Sequence, residues 1–413
     1  MLTNRLLSFE RWINSKILFL TLHNFENINS SGIYPDFINE IANRGHEIYV
    51  VSPREKRYKL ETELVEKGNI KSLRVKTGNI TKTNFLEKGI STLIIENQYL
   101  KAIKKYFKNV QFNMLIYSTP PITFYRIIKY FKYKYNVTCY LMLKDIFPQN
   151  AVDIGLIKKG SFIYKYFRNK EKKLYEISDY IGCMSKKNKE YILKHNNINE
   201  KKVEIFPNSI KIREKKLAFS KNSEILKKYQ IPTDKTIFIY GGNLGKPQGI
   251  DFLITVINNF YKIKNSYMII VGSGTEYNKI ENTINNMKIK NVKLLELLPK
   301  EEYDELLKNA DVGLIFLDRR FTIPNFPSRL TSYMEYSLPI LAATDKETDI
   351  KETLEESKSG FWCESGDLAT FIYYANKLSE DEELRKNMGK SGREYLEEFF
   401  NIEHNIDIIL NKL

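Results

Sequence analysis

What most constrains this chain is a succession of short, almost continuously apolar, β-branched runs, each followed by a stretch of helical periodicity. KILFLTL (16–22), EIYVVS (47–52), NMLIYST (113–119), TCYLMLK (138–144), YIGCMS (180–185) and VEIFPN (203–208) read as strands. TIFIYGG (236–242), SYMIIVG (266–272), NVKLLE (291–296), VGLIFL (312–317) and PILAAT (339–344) form a second series. A strand with no polar alternation must be covered on both faces, as in parallel sheets flanked by helices. Helical patterns fall at 33–44, 121–133, 161–177 and 186–195, then near 249–261, 276–288, 300–308, 328–337 and 367–378. This alternation predicts an α/β fold of two Rossmann-like domains, with parallel sheets facing a central cleft. The charged stretch 211–235 separates the two series, giving a first domain at 1–212 and a second at 213–394. The final helical stretch runs over 381–412; by analogy with such architectures its end, about 395–413, is expected to pack back on the first domain.

Charge divides the chain as sharply as the strands do. Of the 413 residues, positions 1–210 carry 36 Lys/Arg against 19 Asp/Glu, whereas 211–413 carry 29 against 31. A basic first half points to an anionic partner there: membrane lipid, nucleic acid or a phosphorylated substrate. No recognisable nucleic-acid module accompanies the charge, so nucleic acid is not expected as a partner. No apolar run approaches the roughly 18–20 residues that span a bilayer. The first fifteen residues lack a secretory apolar core, and Cys139, Cys183 and Cys363 follow no metal spacing. They read as buried thiols of a cytoplasmic protein.

Three glycine-bearing or helix-opening segments of the second half attract a phosphate reading. IYGGNLGKPQG (239–249) offers a tight turn after a strand, with Gly242, Asn243, Lys246 and Gln248 at a helix expected to begin near Gln248. VGSGTE (271–276) places Gly272, Ser273 and Gly274 in a second turn, and Tyr277 stands where a dinucleotide fingerprint needs its third glycine. In NFPSRLTSYMEYSLPIL (325–341), Ser328 reads as an N-cap, and Arg329 and Leu330 follow in the first turn. A cation at a helix start is locally unfavourable, so Arg329 is explained by an anion it holds, or else by a surface carboxylate.

In the first half, Gly32 opens the helix after the first strand, and His23 and Asp145 stand at strand ends. Asp145 either orients or deprotonates an acceptor hydroxyl, or caps the turn before Pro148. Two basic-aromatic stretches, YLKAIKKYFKNVQF (99–112) and FYRIIKYFKYKYN (124–136), suit an anionic membrane surface or simply pack on the sheet. Leu2, Leu6, Phe9 and Ile13 recur at helical spacing beside Trp12.

The series FPNSI, GGNLGKPQG, ADVGLIFL and FPSRLTSYMEYSLPIL, with RGHEI and ISDYIGCMS before it, resembles a retaining glycosyltransferase of family 4 with the GT-B fold. The likeness runs over essentially the whole chain and is nearest to the branch that builds capsule and O-antigen repeat units. It implies transfer of a sugar, an N-acetylated amino sugar among the candidates, from a UDP-sugar to a polyprenyl-diphosphate-linked saccharide. The work would be done by a peripheral enzyme on the inner face of the plasma membrane, without metal or cofactor. By the resemblance Gly242, Asn243, Gln248, Gly272, Ser273, Gly274, Phe326, Pro327, Ser328, Leu330 and Ser332 surround the donor, and Leu297 and Leu298 touch its base. Asn243 and Gln248 replace the family's Arg and Lys, so Lys246 and Arg329 would supply the cations. The paired glutamates would fall at Pro324 and Ser332 and are missing. Asp145 replaces the catalytic histidine, with Gly32 and His23 on the acceptor side. Two other readings keep the fold: a nucleotide-sugar 2-epimerase, and a non-catalytic membrane-binding protein.

Overall fold

The computed structural model describes residues 14–25, 30–80, 85–213 and 224–413. The chain divides into two compact units, one running to Lys211 and including Asn401–Leu413, the other Ile212–Phe400.

Unit 1 is built on an eight-stranded sheet. Its strands are β1 (Lys16–Leu20), β2 (Glu47–Glu55), β3 (Glu63–Lys67), β4 (Ile70–Thr77), β5 (Met114–Ser118), β6 (Thr138–Leu143), β7 (Tyr180–Cys183) and β8 (Val203–Ile205). They lie in the order β3-β4-β2-β1-β5-β6-β7-β8, all pairings parallel except β3 with β4. The chain starts in the middle at β1, winds out through β2 to β4, then crosses to β5 and winds out the other way. This doubly wound topology leaves a switch point between β1 and β5, where the strand ends open toward a ligand. The central strands are buried along both faces because helices cover each side.

The final helix, Ile402–Leu410, belongs to unit 1. Ile402, Ile406, Ile409 and Leu410 join the core formed by Phe19, Phe37 and Ile48. Arg44 secures it from the end of the Ile33–Asn43 helix, donating to the Glu403 carbonyl at 2.6 Å and to Asp407 at 3.1 Å. The return occurs at Asn401 rather than near 395. The stretch expected as one helix over 381–412 is two, Glu382–Phe399 and Ile402–Leu410, with the Asn401 side chain capping the second.

Unit 2 carries six parallel strands: β9 (Thr236–Asn243), β10 (Ser266–Ser273), β11 (Val292–Leu295), β12 (Val312–Phe316), β13 (Ile340–Thr344) and β14 (Gly360–Glu364). Their order, β11-β10-β9-β12-β13-β14, again starts at the centre and reverses between β9 and β12. At that reversal Tyr333, on the short Arg329–Glu335 helix, is fully buried. Its hydroxyl donates to the carbonyls of Ile239 on β9 (3.3 Å) and Leu314 on β12 (3.1 Å), and accepts from the Gly241 N–H at 3.3 Å. Gly313 makes room for the ring, since a Cβ there would lie 2.4 Å from it.

The expected elements are present with ends shifted by a few residues, and others were not anticipated, among them the short helices Gln149–Asp153 and Glu224–Lys228. β3 and β4 alternate charged and apolar residues as a hairpin at the sheet edge, so they lack the buried-strand signature. β14 is a short edge strand. The Phe85–Tyr106 helix holds a glycine and a β-branched run that blur its periodicity, and Ile350–Ser357 is brief.

Two stability predictions follow from this packing. Gly313→Ala forces a methyl against the Tyr333 ring, and overpacking of this kind costs roughly 1–3 kcal/mol, to be read as a lower urea midpoint of the full chain. The second concerns Lys144, next after β6, whose Nζ is buried without a hydrogen-bond partner and whose pKa burial pushes down to about 7. Between that value and the ordinary lysine value near 10.4 the unfolded chain holds a proton that the folded chain has released. Stability from this group therefore rises with pH across that window, and its penalty is complete below pH ~7. Lys144→Met is expected to be more stable than the parent at pH 6–7, by roughly 3–5 kcal/mol if the full shift is realised, with the gap closing toward pH ~10. The difference between the two proteins isolates Lys144 from the buried Cys139, Cys183 and Cys363, whose raised pKa values act in the opposite sense.

Candidate active site

In unit 2 the residues singled out from the sequence gather at the carboxyl ends of β9, β10 and β12. β9 leaves the sheet through Gly242, with φ +131°, into exposed Asn243. The chain then makes a single tight turn, Lys246–Gln248, and Gly249 in the left-handed region (φ +59°) starts the Ile250–Asn259 helix. The helix thus begins two residues later than expected. Gly249 has no substitute: a Cβ would stand 2.7 Å from the Leu317 carbonyl just after β12. The Asp318 N–H donates to the Pro247 carbonyl at 3.1 Å. The exits of β9 and β12 are thereby tied together, and Gln248 is delivered to Arg329.

Arg329 is the centre of the arrangement. Its Nη2 donates to Gln248 Oε1 at 2.6 Å, and its guanidinium carbon lies 4.4 Å from the centroid of the Tyr240 ring. A Cβ at Gly242 would come within 3.3 Å of Nη2, so the glycine is what lets the guanidinium close over the strand end. Nη1 is buried and has no hydrogen-bond partner. No carboxylate pairs with Arg329 among the described residues, which removes the surface ion pair as its explanation. A guanidinium packed over an aromatic ring, with one buried nitrogen unpartnered, is suited to receive an anion.

The neighbouring motifs sort themselves by exposure. Ser328 occupies the N-cap position of the Arg329–Glu335 helix but with helical φ and ψ, and its side chain makes no cap hydrogen bond. The expectation of a capping serine is corrected: its exposed hydroxyl is not engaged by the helix. Phe326 and Leu330 are buried, Phe326 with its ring 6.0 Å from that of Phe400. Pro327 and Ser332 are half-buried beside Arg329, and Lys246 is exposed in the Gly245–Gly249 turn. Gly272 and Gly274 are required by the backbone itself, since a Cβ on Gly272 would meet the Gly242 carbonyl at 1.9 Å and one on Gly274 the Leu244 carbonyl at 2.3 Å. Their turn, with half-buried Ser273, stacks on the first one. Leu297 and Leu298 follow β11, and Leu297 is 60% exposed.

Unit 1 presents a second cluster at the carboxyl ends of β1, β5 and β6. Gly32, with φ +142°, opens the Ile33–Asn43 helix, and its N–H faces Asp36 Oδ2 at 3.3 Å. His23 lies 4.8 Å from Phe25 and 5.4 Å from Tyr34, ring to ring, and desolvation lowers its pKa. The Thr119 hydroxyl, at the end of β5, donates to the Asp145 carbonyl at 3.2 Å and accepts from the N–H groups of Lys144 and Asp145 at 3.0 and 3.1 Å. Asn150 Nδ2 lies 2.7 Å from both carboxylate oxygens of Asp145. Asp145 is therefore braced by the Asn150 side chain across the turn that contains Pro148.

Two participants were missed from the sequence. Lys144 lies beside Asp145 with its Nζ buried 5.3 Å from the Phe206 ring and without a hydrogen-bond partner among the described residues, an environment of the kind found at functional sites. Its only sequence signal was adjacency to the strand-end aspartate. Tyr240 was read as one more apolar strand residue, although it is the platform for Arg329.

The basic-aromatic stretches turn most of their rings inward: Tyr99, Phe107, Phe112, Phe124 and Phe131 are buried. Lys104 sits over the Tyr130 ring at 4.1 Å, and Lys132 pairs with Asp179 at 2.6 Å. The 99–112 and 124–136 segments therefore pack on the sheet, with Tyr133 left exposed. Leu2, Leu6, Phe9, Trp12 and Ile13 lie outside the described residues. Among the described residues no helix is long and apolar enough to cross a membrane.

Comparison with known proteins places this geometry. Residues 221–395, within unit 2, match the family model "Glycosyl transferases group 1". The chain is 22% identical over 301 residues to the probable glycosyltransferase WbjE of Pseudomonas aeruginosa, covering 72% of this chain and 74% of that one. It is 24% identical over 226 residues to the capsular polysaccharide biosynthesis glycosyltransferase CapM of Staphylococcus aureus, covering 53% and 57%. Among solved structures, sucrose-phosphate synthase from Thermosynechococcus elongatus superposes with a TM-score of 0.74 at 16% identity, covering 96% of this chain and 97% of the other. The E. coli trehalose-6-phosphate protein bound with UDP-2-fluoro glucose superposes with a TM-score of 0.70 at 10% identity, covering 96% and 98%. At such identities these two likenesses speak to the fold alone, which is GT-B; the match over residues 221–395 gives unit 2 a group 1 glycosyltransferase domain, and with the curated relatives it makes the protein a glycosyltransferase.

Proposed function

We propose that this enzyme transfers a sugar from a UDP-sugar, with retention and without metal, to a lipid-linked saccharide in capsule or O-antigen assembly. The observation that carries the donor half is the Arg329 guanidinium, buried between Tyr240 and Gly242 with an unused donor edge. A nucleoside diphosphate supplies the bidentate acceptor this edge lacks. Lys246 and the Ser328 hydroxyl add donors on the same side of the sheet, and Gln248 fixes the guanidinium plane. The UDP-sugar analogue held by the E. coli structural neighbour, and the capsular role in the name of the S. aureus relative, support the choice of donor and pathway class.

In this reaction the bond between the sugar anomeric carbon and the β-phosphate oxygen breaks, and a bond from that carbon to the acceptor oxygen forms. The acceptor's proton passes to the departing diphosphate. Positive charge from Arg329 and Lys246 stabilises the diphosphate as it takes up negative charge, the largest single lever available to such a site. Asp145, braced by Asn150 and Thr119, orients the acceptor hydroxyl. The basic first half faces the anionic membrane that carries the lipid-linked acceptor.

Calorimetry with UDP in the presence of EDTA tests the donor half. Wild type is expected to bind, Arg329→Ala to lose at least 100-fold in affinity, and Arg329→Lys to recover little, because a point charge does not reproduce the fork. UDP binding by Arg329→Ala at wild-type strength defeats the assignment. Asp145→Asn is expected to keep UDP binding and lose transfer by 10²–10⁴-fold, measured as UDP release in the presence of acceptor.

A further inference from the structure

We infer that the segment Leu156–Tyr166 of unit 1 is a membrane-insertion element that seats the enzyme on an anionic bilayer. This deepens the reading above, resting on it for the lipid-linked acceptor it would serve. The surface itself is read from exposed apolar and basic side chains of unit 1.

Apolar side chains are normally buried when a fold can bury them, and a projecting group of them needs an occupant. Phe162 is 92% exposed, the most exposed of the large apolar side chains described, and Leu156 and Ile163 are each 53% exposed. Tyr166, one helical turn after Phe162, is 44% exposed with Lys170 Nζ 5.6 Å from its ring centroid. The segment's local structure is secure. The Ser161 side chain caps the Phe162–Ile177 helix by accepting from the Tyr164 N–H at 3.2 Å, and Gly160, with φ +78°, makes the turn that enters it. Phe162 and Ile163 therefore project from the first turn of a well-capped helix.

Charge names the occupant. Residues 156–173 carry seven Lys or Arg and one acid, Glu171. Glu171 is buried and engaged by Arg168 at 2.7 Å and by the Tyr175 hydroxyl at 2.8 Å, so it offsets nothing at the surface. Lys158, Lys159 and Lys165, which flank the apolar tip, are exposed and make no ion pair among the described residues. A protruding aromatic-aliphatic tip ringed by uncompensated lysines matches a bilayer interface: rings and aliphatic chains enter the headgroup boundary while ammonium groups meet anionic lipid. A protein partner would more usually be met by a concave or flat patch with aromatic and Arg anchors, and lysine is depleted there. The Phe85–Tyr106 helix adds Ile90, Leu93 and Ile94 to the exposed apolar set, and its Glu96 interacts electrostatically with Lys170.

The test uses the full chain with vesicles of phosphatidylcholine alone or with 30% phosphatidylglycerol. Wild type is expected to co-sediment with the anionic vesicles at least tenfold better than with the neutral ones. The paired variant Phe162→Ser, Ile163→Ser should lose at least tenfold of that binding, and Lys158→Glu, Lys159→Glu should lose a similar amount together with most of the salt dependence. A Phe162→Trp variant reports insertion directly: its emission should shift to the blue on anionic vesicles and be quenched by brominated acyl chains, against the wild-type background. Quenching absent while binding persists, or the paired serine variant binding like wild type, overturns the assignment. UDP calorimetry on the serine variant separates the two proposals: unchanged UDP affinity with lost vesicle binding confirms docking independently of the donor site. No vesicle binding by wild type removes the membrane and points the patch to a protein partner, without touching the donor reading.

Discussion

The donor unit depends on one buried hydroxyl. Tyr333 joins β9 to β12 at the place where the sheet reverses its winding, the only seam of that sheet not closed by a short βαβ crossover. Strand ends diverge at such a seam, which makes it useful for ligands and weak as structure. A tyrosine can be spent there only because Gly313 and Gly241 leave space, the first for its ring and the second for the Tyr303 hydroxyl behind it. The helix that carries Tyr333 also carries Arg329 at its first position, so the bond that closes the seam also aims the guanidinium. Structure and site are served by one element seven residues long.

Arg329 illustrates how a costly group is retained. Burying a guanidinium with an unsatisfied N–H is unfavourable, and packing on Tyr240 and a bond to Gln248 offset only part of that. What remains is an unpartnered N–H that an anion would satisfy on binding. Lys144 is a parallel case in unit 1: an amine taken from water beside Phe206, with no carboxylate paired to it among the described residues and its pKa pushed down to about 7 by burial. Both stand at carboxyl ends of central strands, where doubly wound sheets bind ligands.

Much of this was legible in the chain. Continuous apolar runs predicted covered parallel strands, and glycines at strand exits marked close backbone approaches. Arg329 at a helix start was anomalous enough to demand an anion. Illegible were the elements whose pattern departs from burial on both faces: the charged β3–β4 hairpin at a sheet edge and the Phe85–Tyr106 helix. The direction of the aromatic rings was illegible for a related reason. Stretches 99–112 and 124–136 look basic and aromatic, yet their rings fill the space over the sheet, while the 156–166 segment looks unremarkable and projects its apolar side chains.

By itself the sequence determined the two Rossmann-like series, the asymmetry of charge and the anomaly of an arginine at a helix start. Each of these follows from local order: periodicity, composition, or one residue's place relative to a helix start. Only the tertiary structure decided that Gln248 and Tyr240 hold Arg329, that Asn150 braces Asp145, that Lys144 lacks a counter-charge and that Phe162 stands in the open. A side chain's burial and partners depend on residues brought to it by folding, 81 positions away in the case of Gln248 and Arg329, and no local pattern encodes that distance.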